Sequence, residues 1–182
     1  MTEPRRTADP QTDLGKQDTS ITTIEIAKDY LHFSAAHFTL FSATERENLH
    51  GHNFQVAIDI EAEVDETGLC FDYNIVKDAV RAICGELDEQ TLMPAHSPWL
   101  SVDREDGMVI VRFADERMPF LERDVLVLPV RNITVEELAR WMLTRVRAEE
   151  RIAALPVRRL VLRVASGPNQ WARAEWQAAG VD

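Results

Sequence analysis

His50-Gly51-His52 stands at the head of an alternating run, and no other feature constrains this chain as much. Phe54, Val56, Ile58 and Ile60 alternate with Gln55, Ala57, Asp59 and Glu61, the pattern of a half-buried antiparallel strand. On a strand, residues i and i+2 point the same way. His50 and His52 therefore project side by side, and Gly51 adds no side chain to the opposite face. Two imidazoles so placed are half of a zinc site, which wants about four ligands, with one position left open if the site is catalytic.

The candidate third ligand is His37, thirteen residues upstream, near the end of a strand-like run that starts near Thr22. If the two runs pair as a hairpin, His37 faces the His50/His52 pair. Three histidines with no cysteine or carboxylate partner favour an open catalytic site over a closed structural one. The same trio also suits iron, nickel or copper. His32 and His96 read as ordinary surface or core histidines.

With 182 residues, the chain can build one domain with a real core but not two large ones. A net charge of −11 and a pI near 4.9 argue against nucleic acid or an anionic membrane as the main partner. They leave room for a phosphorylated small molecule held by a few local cations. Cys70 and Cys84 are too few for a disulfide framework and suit a reducing cytosol. Both read as buried thiols. No apolar run approaches membrane-spanning length and no signal peptide is visible, so a cytoplasmic location is expected.

Residues 1–20 are polar, charged and poor in large apolar side chains, and read as a disordered tail ahead of a single domain at 21–182. Residues 38–49 form a charged loop ending at a ligand, a good place for reactive side chains. A helix is expected from Asp72-Tyr73-Asn74 to about Leu87, capped by Asp72 or Asn74. Residues 88–100 read as a loop. Met108–Phe113 and Val125–Leu128 flank a charged turn, which predicts an extra hairpin or lobe inserted at about 95–128. A second helix starts at Thr134 with Glu137 completing a capping box, and Arg158–Val164 is the expected last strand. Trp141, Trp171 and Trp176 read as core or subunit-contact residues. The order describes an α+β domain with helices on one face of an antiparallel sheet.

These residues resemble a known family. Phe33-x-x-Ala36-His37, Leu49-His50-Gly51-His52-Asn53-Phe54, Gly68-x-x-x-Asp72-Tyr73-x-x-x-Lys77, Leu87-Asp88 and Asn132-x-Thr134-x-Glu136-x-Leu138-Ala139 occur in the order seen in the 6-pyruvoyltetrahydropterin synthase and 6-carboxytetrahydropterin synthase family. The resemblance implies a tunnelling fold: a four-stranded antiparallel sheet with two helices on one face, assembled into homo-oligomeric rings (a trimer-based hexamer, for example) that share active sites. It implies Zn2+ on His37, His50 and His52. It also implies a lyase working on a pterin-like small molecule such as dihydroneopterin triphosphate, in queuosine, folate or biopterin-like synthesis.

Against the family's pattern, residues 38–49 contain no cysteine, and Arg46 stands four residues before His50. Glu47 stands three before it and resembles a subgroup that uses a glutamate there as acid/base. The family's Asp-His pair appears as Asp88-Glu89, and its pterin-gripping glutamate is replaced at about Ala165-Ser166. Glu47 is the expected base; Asp88 and, less directly, Glu89 are expected to orient or relay a proton. Thr134 and Glu136 fit a substrate-contacting helix start, a role that simple capping rivals. A ring protein that kept its metal and lost turnover, or changed substrate, is the alternative.

Overall fold

In a computed structural model, which describes residues 21–179, the whole domain is organised around one long strand. That strand, β3 (His50–Glu63), carries the alternating run. β1 (Ile21–Ile26) and β2 (His32–His37) lie end to end along one edge of β3, both antiparallel to it. A turn at 27–31 separates them, and Leu31 bridges the break by accepting a hydrogen bond from the Val56 amide at 2.9 Å. β9 (Val157–Ala165) pairs along the other edge, and β10 (Trp171–Gln177) pairs with β9.

Beyond β2 the sheet continues with β4 (Gln90–Pro94) and β8 (Val125–Leu128), both in parallel pairings. Among the described residues the sheet thus has seven strands and is mixed, not four-stranded and purely antiparallel. Three elements account for the difference. Residues 88–100 contain β4, Val125–Leu128 returns to the main sheet, and β10 follows the expected last strand. β4 shows no alternation because both its faces are covered: Leu92 enters the main core and Met93 a second one. β10 turns Ala172, Ala174 and the half-buried Trp176 toward the helices, and the two alanines give little hydrophobic contrast.

Two helices, α1 (Asn74–Leu87) and α2 (Val135–Ala148), cover one face, with the short α3 (Glu150–Ala153) behind α2. Val76, Val80, Ile83 and Leu87 of α1 and Leu138, Met142 and Val146 of α2 bury themselves against Phe33, Phe54, Ile58, Ile60, Leu160 and Leu162. Burial of this apolar stripe is the main stabilising contribution. The N-cap of α1 is Tyr73, which supplies no side-chain bond; Asp72 instead accepts from the Asn74 amide at 3.0 Å. At α2, Thr134 caps as expected, accepting from the Glu137 amide. The capping box does not close, because the Glu137 carboxylate reaches back to the Arg131 amide and guanidinium. The other face of the sheet carries charged pairs, Arg163 with Glu25 and Asp59, and Arg159 with Glu175.

Within the region expected to be an inserted hairpin or lobe, the chain forms a separate antiparallel meander of three strands, β5 (Leu100–Glu105), β6 (Met108–Phe113) and β7 (Glu116–Leu121). The β5–β6 turn places Asp106 and Gly107 both at positive φ, the tight hairpin geometry that glycine favours. Leu100, Val109, Val111 and Phe113 form a second core with Met93, Phe38 and Leu40. The charged loop at 38–49 is therefore partly interior: Phe38 and Leu40 anchor it to the insertion. The expected tail at 1–20 lies outside the described residues.

Cys84 is buried, whereas Cys70 is only partly so. Burial, with Asp88 adding to it, pushes the Cys84 thiol up to about 12. We expect a thiol reagent at pH 8 to modify Cys70 alone in the native protein. Cys84 should react only after denaturation; rapid native labelling of two thiols per chain would contradict this packing.

Candidate metal centre

The β2–β3 hairpin sets His37 directly opposite His50, and Ala35 opposite His52. All three imidazoles emerge on the helix-facing side, just beyond the end of the main core. Ring centroids lie 4.7 Å apart for His37–His50, 5.3 Å for His37–His52 and 4.7 Å for His50–His52. Candidate ligand atoms of the three fall within 4.8 Å of one another. Phe54 forms an aromatic floor, edge-on to His37 and His52.

Hydrogen bonds to backbone carbonyls decide which nitrogen of His37 and of His50 is free. His37 Nδ1 donates to the Ile133 carbonyl at 2.9 Å, and His50 Nδ1 donates to the Asn48 carbonyl at 2.8 Å. This outer layer leaves each Nε2 lone pair aimed inward, the usual dress of a ligating histidine. His50 Nε2 and His52 Nε2 stand 3.0 Å apart. His37 is 5% exposed, and its Nε2 is buried with no hydrogen-bond partner among the described residues. An orphaned buried nitrogen is costly unless something fills the gap. Burial holds His37 below its ordinary pKa, reinforced by the two neighbouring imidazoles and opposed by the Ile133 bond. The neutral ring is the form that binds a metal. The residues present therefore fit a metal ion.

Glu47 lies beside this trio. Its amide donates to the Thr39 carbonyl and its Oε2 accepts from the Thr39 amide, both at 2.9 Å. Partial burial pushes its pKa up, but the Thr39 bonds and the nearby His50 and His37 outweigh it, so the carboxyl is held below its usual value. The ionised carboxylate is a proton acceptor next to a ligand-poor centre.

The other expected residues are not gathered at this point. Asp88 ends α1, and its Oδ1 accepts from the Ser34 amide at 2.7 Å. Glu89, at φ 58°, donates its amide to the Ser34 carbonyl at 2.7 Å. Together they dock α1 on β2. Glu89 also lines a cavity of about 390 Å³ with Gly51, His52 and Asn53. A Cβ on Gly51 would meet only the Ala35 carbonyl at 3.6 Å, an ordinary contact, so its value is the open space it leaves there. Thr134 and Glu136 line a different cavity, of about 470 Å³, with Leu40, Trp99 and Asn132. Neither His32 nor His96 joins the trio.

Two residues given no role from sequence prove central. Asn132 accepts from the amides of Leu40 and Ile133 and donates to the Leu40 carbonyl at 2.8 Å. It thereby clamps the loop to the peptide that orients His37. Arg46 ties the same loop to the insertion. Asn132 stands in the Asn-x-Thr pattern, but a clamp spanning ninety residues leaves no local trace.

Residues 25–177 match the sequence profile of the family described as 6-pyruvoyl tetrahydropterin synthase. The chain belongs to that family. Among curated relatives, a Pyrococcus abyssi protein named "Putative 6-carboxy-5,6,7,8-tetrahydropterin synthase" is 28% identical over 77% of this chain and 83% of its own length. A Methanocaldococcus jannaschii protein of the same name is 27% identical over 60% of this chain and 67% of its own. The fold matches solved 6-pyruvoyltetrahydropterin synthase structures. One from Plasmodium vivax aligns at TM-score 0.82 and 24% identity, over 87% of this chain and 99% of that one. One from Plasmodium falciparum aligns at TM-score 0.81 and the same identity and coverage. The tunnelling-fold expectation holds, with the sheet widened as described. Among the described residues, no helix is long and apolar enough to cross a membrane.

Replacing His37 by Ala should abolish uptake of a divalent metal while circular dichroism stays native. Asn132→Ala, which removes the bonds from the Ile133 and Leu40 amides and so loosens the residue whose carbonyl orients His37, should weaken metal affinity by roughly 10–100-fold. Competition with a chromophoric chelator measures both. Metal uptake by H37A equal to that of the unmodified chain would refute the assignment.

Proposed function

We propose that this family member is a zinc-dependent lyase acting on dihydroneopterin triphosphate or a related dihydropterin. The observation that carries the reading is the buried, partnerless Nε2 of His37, facing His50 and His52 with the ionised Glu47 alongside. A purely structural site would be expected to close its ligand shell with cysteine or a fourth side chain.

His37, His50 and His52 would hold the zinc ion, which would supply Lewis acidity toward an oxygen of the substrate side chain. The remaining work falls to the chain. Glu47 accepts the carbon-bound proton whose loss begins the side-chain cleavage, and returns it to the product. The Thr39 amide holds the carboxylate in place and in its basic form. Phe54 keeps water away from the floor of the site. Thr134 and Glu136 belong to the substrate-binding wall on this reading. Asp88 and Glu89 would serve a neighbouring site across a subunit boundary in a homo-oligomeric ring, the cavity beside Glu89 and His52 being the place of contact.

A glutamate base has support from a relative: a solved Plasmodium vivax structure carries a mutation of a glutamate described as a catalytic residue. One observation favours a second reading, a zinc-binding protein that changed substrate or lost turnover. Ala165, at the end of β9 where the family's pterin-gripping acid is expected, is buried and apolar.

Glu47→Gln separates the two. The lyase reading expects zinc content to stay at that of the unmodified protein while turnover falls about 100- to 10,000-fold. Unchanged turnover would remove Glu47 from its role.

A further inference from the structure

The reading above gives the three-stranded insertion nothing to do, yet the insertion reaches the candidate base. Arg46 is the link. Its guanidinium lies 4.8 Å from the Phe38 ring centroid and 6.0 Å from that of Phe113 in β6. Nε and Nη2 both donate to Glu116 Oε2, at 2.8 and 2.5 Å, and Glu116 is the first residue of β7. Nη1 donates to the backbone carbonyl of Glu47 at 2.7 Å. The Arg46 side chain is only 17% exposed. Every guanidinium nitrogen is thus committed, two to the insertion and one to the peptide of Glu47.

The loop is closed on itself at the same level. Leu40 and Arg46 form an isolated antiparallel bridge, and Thr39 bonds Glu47 through both backbone and carboxylate. Phe38 and Leu40 are sunk in the core they share with β5 and β6. The Glu47 carboxylate therefore sits on a loop whose one side is fixed by apolar burial and whose other side is fixed by Arg46.

We infer that the inserted sheet is a positioning device for Glu47, acting through the Glu116–Arg46–Glu47 carbonyl chain. Arg46 and Glu116 touch no reacting atom; they set where the Glu47 carboxylate stands beside the histidine trio. A surface ion pair alone contributes little stability. Placement is a different matter, since a shift of about 1 Å in a catalytic group can cost about 100-fold in rate. The inference rests on Glu47 being the base, so its test needs a readout that does not depend on turnover.

The test uses E116Q and R46K in the full chain, alone and combined with E47Q. Hydrogen exchange of the Thr39 amide, which reports the bond to the Glu47 carboxylate, is measured beside kcat, KM and zinc content. In E116Q we expect Thr39 exchange to accelerate about 10-fold, kcat to fall roughly 10- to 100-fold, KM to hold within about twofold, and zinc to stay bound. In the E47Q background, E116Q should cost nothing further in kcat. Wild-type exchange at Thr39 in both variants would overturn the inference. So would an equal loss of kcat with and without Glu47, or loss of zinc, either of which marks a merely structural role. If the unmodified protein turns over no dihydropterin, the lyase reading fails, and the Thr39 exchange rate alone decides the positioning role.

Discussion

One hydrogen bond, from His37 Nδ1 to the Ile133 carbonyl, joins the parts of this molecule that matter chemically. It crosses from the β2–β3 hairpin to the residue just ahead of the α2 cap. By occupying Nδ1 it selects the tautomer and turns Nε2 toward His50 and His52. Asn132 holds the Ile133 peptide and the Leu40 peptide at once, so the loop bearing Glu47 is indexed to the same point. Without that bond the His37 ring loses the contact that fixes its tautomer and orientation, although the pairing of β2 with β3 still sets it opposite His50.

The site lies where two cores meet. The main core packs α1 and α2 on the sheet and ends at Phe33 and Phe54, stacked at 4.8 Å. The second core packs the insertion on Phe38, Leu40 and Met93. Short β4 serves both, with Leu92 to one side and Met93 to the other. The histidines stand on rigid strands and Glu47 on a loop braced from both sides. Strand-borne imidazoles beside a loop-borne carboxylate would suit a site in which a metal stays put and a proton acceptor meets substrate.

What could be read in the chain followed from local periodicity. The period of two around Gly51 put His50 and His52 on one face, and a hairpin put His37 opposite them. Glu47 was singled out by the resemblance, since a subgroup of the family uses a glutamate three residues before the histidine pair. Thr134 was legible as a cap because capping is a four-residue affair. The parts that escaped are non-local or lack contrast. β4 and β8 pair in parallel, and β10 turns two alanines and one half-buried tryptophan inward, too little contrast to mark a strand. β5 and β7 are dense in charge, so the insertion looked like one hairpin where it is a meander. Cys70 is half-buried, since the turn at Asp65–Leu69 that precedes it leaves it near the surface. Arg46 was given no role because its partner, Glu116, is seventy residues away. Glu137 seemed to complete a capping box but found a stronger partner in the Arg131 guanidinium.

The central claim is that a metal on His37, His50 and His52, with Glu47 as base, cleaves or rearranges a pterin side chain. The most direct measurement incubates protein of known zinc content with dihydroneopterin triphosphate and identifies every pterin product by mass spectrometry. The account predicts a product carrying a hydroxymethyl, carboxy or pyruvoyl group, formed only by the zinc-loaded protein. Recovery of intact substrate from a fully loaded protein would contradict it, and would make the replacements at Ala165 and Glu89 marks of a changed substrate or lost catalysis.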